Sequence, residues 1–420
     1  MTTKERLYIY DTTLRDGQQT QGVTFSLDDK LRISQLLADI GIDYIEGGWP
    51  GANPIDSEFF DRKKEFAKSK LVAFGMTKRF GRSVENDETL AQVVSAGTSV
   101  VCLVGKSHDF HVQKALGISL DENIELITSS IKHLKSLGKE VHFDAEHFFD
   151  GFAANKKYAI SIVKEAMAAG ADWVVLCDTN GGCMPDQVRE TIESLIKEGI
   201  DASRLGIHAH NDTENAVANS LAALQAGVRQ IQGTLNGLGE RCGNANLISL
   251  LPTLLLKPQF AEKFVTGVTS DSLKEITRAS RIMDDVLNRV PNRFAPYVGS
   301  SAFAHKAGLH ANAILKDTET YEHIDPELVG NERIIPVSNQ AGLSNLREKL
   351  QQAGIKADDD TGKLSMLLKE IKDKESEGYS FDSANASFEI FARRMLGQMP
   401  NFFEVKRYRV TTERRKDTIG

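Results

Sequence analysis

No run of 18 apolar residues occurs in the 420-residue chain, so a membrane-spanning helix is not expected. The opening segment, MTTKERLYIYDTTLRDG, has no apolar signal core and leads straight into a motif, which speaks against secretion. Cysteine is scarce: Cys102, Cys177, Cys183 and Cys242 form no Cys-x-x-Cys pair, and three of them lie in or beside apolar runs. A disulfide framework or a thiolate zinc site is therefore not indicated, and reduced thiols in a cytoplasmic protein fit best. A basic excess is also missing: 51 Lys and Arg stand against 58 Asp and Glu, for a net charge of -7. A nucleic-acid binder would show the opposite balance. Nor does a Gly-x-Gly-x-x-Gly fingerprint follow the first strand-like run, where the chain reads TTLRDGQQ. An open dinucleotide-binding sheet would carry one there.

What is present is ordinary globular material, 41% hydrophobic and 26% charged, enough to fill a sizeable core. Over the first 260 residues one unit recurs: a short apolar run, a turn, then apolar residues at i, i+3, i+4 and i+7. The runs are LYIYDT (7–12), YIEGG (44–48), LVAFGM (71–76), SVVCLV (99–104), EVHFDAEHF (140–148), WVVLCDT (173–179), LGIHAHN (205–211) and QIQGTLNG (230–237). Strand alternating with helix gives a parallel sheet, and about eight such units give a (β/α)8 TIM barrel of about 250 residues. Ser26 reads as a helix N-cap, as does Asp212 or Thr213, and Gly41, Gly138, Gly170 and Gly227 read as helix ends. Past 260 the pattern changes to a helical and mixed C-terminal appendage. Residues 261–325 give a linker helix, over 270–290, and a subdomain carrying HKAGLH. Residues 326–400 form a second small subdomain, and 401–420, opening with the strand-like FFEVKRYRV, begin a further domain.

A barrel places its chemistry at the C-terminal strand ends, where ionisable residues of this chain concentrate. In His208-Ala209-His210 two imidazoles share one strand face and can bind one metal ion, or bond to each other. Asp16, after the first strand, could complete a catalytic divalent site with open positions, or be a turn aspartate. Oxygen ligands would favour Mg²⁺ or Mn²⁺, and imidazoles also admit Zn²⁺. Arg15 suits a carboxylate or a developing alkoxide, or a surface ion pair. Asp144 and Glu146 share a face and could act as acid or base, or bridge to Arg15 or Lys106. Thr179 could bond a carboxylate or cap a helix. The glycine-rich NGLGERCGNANL (236–247) could offer backbone amides to an anion.

Taken in order, YDTTLRDGQQ, DAEHFFDG, LCDTNGG, HAHND and NGLGERCGNANL resemble the DRE-TIM metallolyase family. The nearer likeness is to its Claisen-condensing synthases of 2-isopropylmalate, homocitrate and citramalate. EGGWPGANP and FDAEHFFDGF are most similar to the citramalate-forming branch, and the likeness continues through HKAGLHANAI and IDPELVG. The resemblance implies a metal-dependent acyltransferase that joins acetyl-CoA to pyruvate and hydrolyses the thioester, giving citramalate and CoA on a route to isoleucine. It implies Asp16, His208, His210 and Asn244 at the metal. Arg15, Gln19 and Thr179 hold the keto acid, and Met76, Leu103 and Asp144 border its substituent. Glu146 places the acetyl-CoA methyl group, and Asn236, Gly237 and Gly239 lie in the loop facing the co-substrate. His310 and Tyr321, with His305 in support, are the deprotonation machinery, which in the family reaches a partner subunit's barrel and so implies a homodimer. Residues 401–420 would begin the domain that in this branch binds the end-product amino acid. The other readings are a sister synthase using 2-oxoisovalerate or 2-oxoglutarate, an acyl-CoA lyase, or a silent barrel that only binds metal or CoA.

Overall fold

The structure, a computed structural model, describes residues 4–336, 342–356, 361–381, 384–400 and 402–412. Eight parallel strands close into a barrel: β1 (Tyr8–Asp11), β2 (Tyr44–Gly48), β3 (Lys70–Met76), β4 (Val100–Lys106), β5 (Glu140–Glu146), β6 (Trp173–Asp178), β7 (Leu205–Ala209) and β8 (Gln230–Gly233). Closure comes from β1 pairing with β8, Tyr8 opposite Gln230 through Asp11 opposite Gly233. Helices α1 (Leu27–Ile40), α2 (Pro54–Asp61), α3 (Glu88–Ser95), α4 (Leu120–Ser136), α5 (Lys156–Ala168), α6 (Pro185–Lys197), α7 (Ala216–Ala226) and α8 (Leu247–Leu256) follow the strands in turn. Among the described residues no helix is long and apolar enough to cross a membrane.

Strand alternation divides the side chains. Tyr10, Tyr44, Val72, Phe74, Val100 and Cys102 fill the barrel interior. Their neighbours face the helices: a Cβ on Gly105 would touch Phe143 and Ile127 of α4. Helix ends follow local chemistry. Ser26 caps α1 and forms a capping box with Asp29, and the helix stops at Gly41 in the left-handed region, φ +99°. A side chain there would meet the Gly267 carbonyl at 2.4 Å, so glycine is required on both counts. Asp212 and Thr213 are not caps. Helix α7 starts after Asn215, because Asp212 pairs with Arg241 and Thr213 Oγ1 donates to the Gly181 carbonyl.

The described residues fall into two compact units, one within Met1–Ala302 and Ile324–Glu332, the other within Phe303–His323 and Arg333–Gly420. The first therefore runs past residue 260. The segment expected to be one helix over 270–290 is two, Ser270–Leu273 and α9 (Ile276–Val286). The break lies where the Lys274 carbonyl abuts Gly330 so closely that a Cβ would come within 1.9 Å, and Thr277 Oγ1 donates to the Val329 carbonyl. Helix α9 is tied to the barrel through Asn236, whose amide donates to the Ser280 carbonyl at 3.0 Å and to Asp284 at 3.1 Å.

In the second unit Ala304 bridges Ile334, and helices α10 (Gly308–Ile314), α11 (Leu343–Gln352), α12 (Thr361–Ser376) and α13 (Asn385–Met395) follow. Leu346, Leu350, Leu364, Leu367, Ile371 and Phe388 share one apolar core. Residues 402–412, which alternate like a strand, carry no ladder; a strand needs a neighbour to bond to.

Candidate active site

After β1 the chain turns back across the barrel mouth. Asp11 holds the turn by accepting from the Thr13 amide at 2.9 Å and its hydroxyl at 2.7 Å, and the Asp16 and Gly17 amides both donate to the Thr12 carbonyl. Burial lifts the Asp11 carboxyl to about 7 against these bonds. Asp16 is thereby aimed at the end of β7. Its Oδ2 lies 3.1 Å from His208 Nε2 and 3.7 Å from His210 Nε2, and the two Nε2 atoms are 3.4 Å apart. All three side chains are buried, and their ligand atoms lie within 4.8 Å of one another. Burial works against the Asp16 charge, yet Arg15 and His208 outweigh it and hold the carboxyl far below its usual range. Burial, reinforced by His208, lowers His210 to about 4, so its ring is neutral and can donate a lone pair.

Arg15 lies between this cluster and a second carboxylate. Its Nε donates to Glu46 Oε2 at 2.6 Å, its NH1 is 3.8 Å from Asp16, and its guanidinium rests 4.0 Å over the Phe74 ring. Glu46 has no solvent exposure and also accepts from the Tyr10 and Thr12 hydroxyls. Buried Asp144 stands behind them, its carboxyl raised first by burial and then by Glu46.

A cavity of about 270 Å³ opens over these groups, lined by Arg15, Asp16, Gln19, Asp144, Glu146 and Thr179 together with both histidines. Trp49, Phe74, Val104 and Cys177 give it an apolar wall, and Glu240 and Arg241 form its rim. Glu146 pairs with Lys106, its register partner across β4 and β5. Thr179 Oγ1 accepts from the His147 amide at 2.8 Å, which leaves its own proton to donate.

Several expected neighbours lie elsewhere. Leu103 alternates with inward-facing Cys102 and is wholly buried on the helix side of β4, where a Cβ on Gly75 would touch it and Val93 of α3. Met76 ends β3 opposite Val104 and is not among the cavity-lining residues. Phe74 and Val104 line the cavity instead; the period-2 alternation of β4 could have found Val104, whereas Phe74 and Met76 share one face of β3. Asn236 is consumed by α9, and its left-handed φ of +55° helps fold the glycine-rich loop onto itself. The Gly237 amide donates to the Thr234 carbonyl and the Gly239 amide to Thr20 Oγ1, so neither N–H is left for an anion.

The loop's glycines instead permit close approach around Asn244. A Cβ on Gly239 would lie 2.3 Å from Asn244 Nδ2, and one on Gly243 would lie 1.9 Å from the Gly237 carbonyl. Asn244 bridges His210 and donates to the Leu238 carbonyl at 3.1 Å, while its Oδ1 is buried without a partner. Gly239→Ala is expected to push the Asn244 side chain aside and weaken Mn²⁺ binding about tenfold, as disturbing a metal's outer support does. Calorimetric titration with Mn²⁺ checks this, and unchanged affinity would remove Asn244 from the site.

In the second unit His310 stacks on Tyr321 at 4.1 Å. His305 Nε2 lies 3.1 Å from Glu322, which also takes two hydrogen bonds from Arg333.

Comparison with known proteins places the chain in a family. The HMGL-like family matches residues 6–280, and the homocitrate synthase post-HMGL domain-like family matches residues 297–378. The chain belongs to the HMGL-like family. Within it the chain is similar to (R)-citramalate synthases. That of Aquifex aeolicus is 49% identical over 415 residues, 98% of this chain and 78% of that protein. That of Synechocystis sp. is 46% identical over 417 residues, 97% of this chain and 75% of that protein. The 2-isopropylmalate synthase of Sulfolobus acidocaldarius stands further off, at 33% over 384 residues, 91% of this chain and 94% of that protein. The solved hydroxymethylglutaryl-CoA lyase of Pseudomonas aeruginosa has the same fold, with a TM-score of 0.58 at 20% identity over 69% of this chain and 96% of that one.

Proposed function

We infer that this chain catalyses the (R)-citramalate synthase reaction, condensing acetyl-CoA with pyruvate and hydrolysing the resulting thioester to citramalate and CoA. One observation carries the reading: Asp16, His208 and His210 converge at the mouth of a closed barrel, beside an arginine locked in place by Glu46. The donor set fits a divalent cation. One carboxylate oxygen and two imidazole nitrogens meet, and the unpartnered Asn244 Oδ1 belongs to a residue that bridges His210. A cation held there supplies Lewis-acid polarisation of a keto group.

The chain's own residues do the rest. Arg15 holds the keto-acid carboxylate and stabilises the alkoxide as it forms, and its fork is preorganised by Glu46 and Phe74. The Thr179 hydroxyl proton bonds the same carboxylate. Trp49, Phe74 and Val104 exclude water and accept a small methyl substituent. Glu146 positions the acetyl methyl group. His310 and Tyr321 form the proton-handling pair for that weakly acidic carbon. A homodimer belongs to this proposal, as the family resemblance implies.

A thiol-release assay with acetyl-CoA, Mn²⁺ and a panel of keto acids tests the assignment. Release with pyruvate is expected to exceed that with 2-oxoisovalerate by about 100-fold, the discrimination a tight apolar wall gives against extra methyl groups. Preference for the branched acid would move the chain to the sister synthases, and no release with any keto acid would leave a lyase or a binding barrel.

A further inference from the structure

Gln232 lies on β8, opposite Tyr10 of β1 in register, and is 1% exposed. Its Oε1 is 2.9 Å from His208 Nδ1, and its Nε2 is 3.3 Å from Asp144 Oδ1. The two ends of the amide are not equivalent. Asp144 Oδ1 is an acceptor, so the amide NH₂ must face it. The amide carbonyl then faces the imidazole, and a carbonyl can only accept. Nδ1 must therefore carry a proton to meet it, and Nε2 is the nitrogen left to face a cation held between Asp16, His208 and His210.

We propose that Gln232 is a positioning residue that fixes the tautomer and ring orientation of His208 for cation binding, and that Asp144 in turn fixes the orientation of Gln232. The chain Asp144–Gln232–His208 thus links the substrate cavity to the cation site through two hydrogen bonds. Without Gln232, Nδ1 would lose its acceptor, and the ring would be free to rotate or to place its proton on Nε2, where a cation must bind. Partners of this kind are worth about 10–100-fold in metal affinity. The inference rests on Asp16, His208 and His210 being the metal ligands.

The test uses Mn²⁺ alone, titrated calorimetrically into the full chain without substrate, together with ¹⁵N-histidine spectra of the protein loaded with diamagnetic Zn²⁺. His208 is assigned by its loss in His208→Asn. In the wild type the ring proton is expected on Nδ1; a proton on Nε2 overturns the proposal without any variant at position 232. Gln232→Leu is expected to weaken Mn²⁺ binding at least tenfold and to mix the tautomers. Gln232→Glu keeps an acceptor against Nδ1, its carboxyl sharing a proton with Asp144, and is expected to stay within about threefold of wild type with the Nδ1 proton retained. Equal Mn²⁺ affinity in wild type and Gln232→Leu, or an equal loss in both variants, refutes the role. If the wild type binds no Mn²⁺, the metal assignment itself fails and this inference with it. If it binds and Gln232→Leu binds as tightly, only the inference fails.

Discussion

His208→Ala is expected to lower thiol release from acetyl-CoA and pyruvate by about a thousandfold or more and to abolish Mn²⁺ binding in the same protein. A cation bound beside a reacting carbonyl supplies several kcal/mol of charge stabilisation, and each ~1.4 kcal/mol is a factor of ten in rate. Without the His208 ring, Asp16 keeps Arg15 and His210 as neighbours, so the turn that carries it should survive and the circular dichroism should not change. Parallel calorimetry separates loss of metal from loss of fold. Activity within tenfold of wild type at saturating Mn²⁺ would show that the cluster is a hydrogen-bonded pair beside a turn aspartate.

The second large effect concerns Arg15. Its side chain is 14% exposed, while that of Glu46 has no exposure. Arg15→Leu therefore strands a carboxylate in the barrel with only the Tyr10 and Thr12 hydroxyls for company. Breaking such a pair costs about 3–5 kcal/mol, which urea denaturation would read as an early midpoint. Arg15→Lys keeps a positive charge near Glu46 but loses the planar fork that can bond Glu46 and a substrate carboxylate together. It should retain most of the stability and lose about 10²–10³-fold in kcat. The double variant Arg15→Leu/Glu46→Gln should recover stability without recovering activity. Recovery of both would reduce Arg15 to a structural ion pair.

Much of the barrel was legible because its signals are local. Seven of the eight apolar runs became strands within a residue or two, QIQGTLNG formed one only over Gln230–Gly233, and Ser26 announced the start of α1. The histidine pair was readable too, since residues two apart on a strand share a face. The mistakes have two origins, one local and one long-range. Leu103 was placed in the pocket by the resemblance, although its neighbour Cys102 occupies the inward face. Asn236 and the glycines after it were read as an anion cradle, but their bonds go to α9, to Thr20 and to one another, partners far off in sequence. The helix expected over 270–290 breaks because Gly330 meets it from a later segment.

From its own residues the sequence determined the strand and helix order, the closed parallel sheet that this order favours, and the types of group at the strand ends, because periodicity, caps and side-chain chemistry act over a few neighbouring residues. Only the tertiary structure decided which of those groups meet. It placed Asp16 of the first loop against histidines nearly two hundred residues later, locked Arg15 with Glu46, and joined Gln232 to both His208 and Asp144. Those distances follow from strand register and barrel closure, which depend on every strand pairing at once and leave no mark in any single stretch of chain.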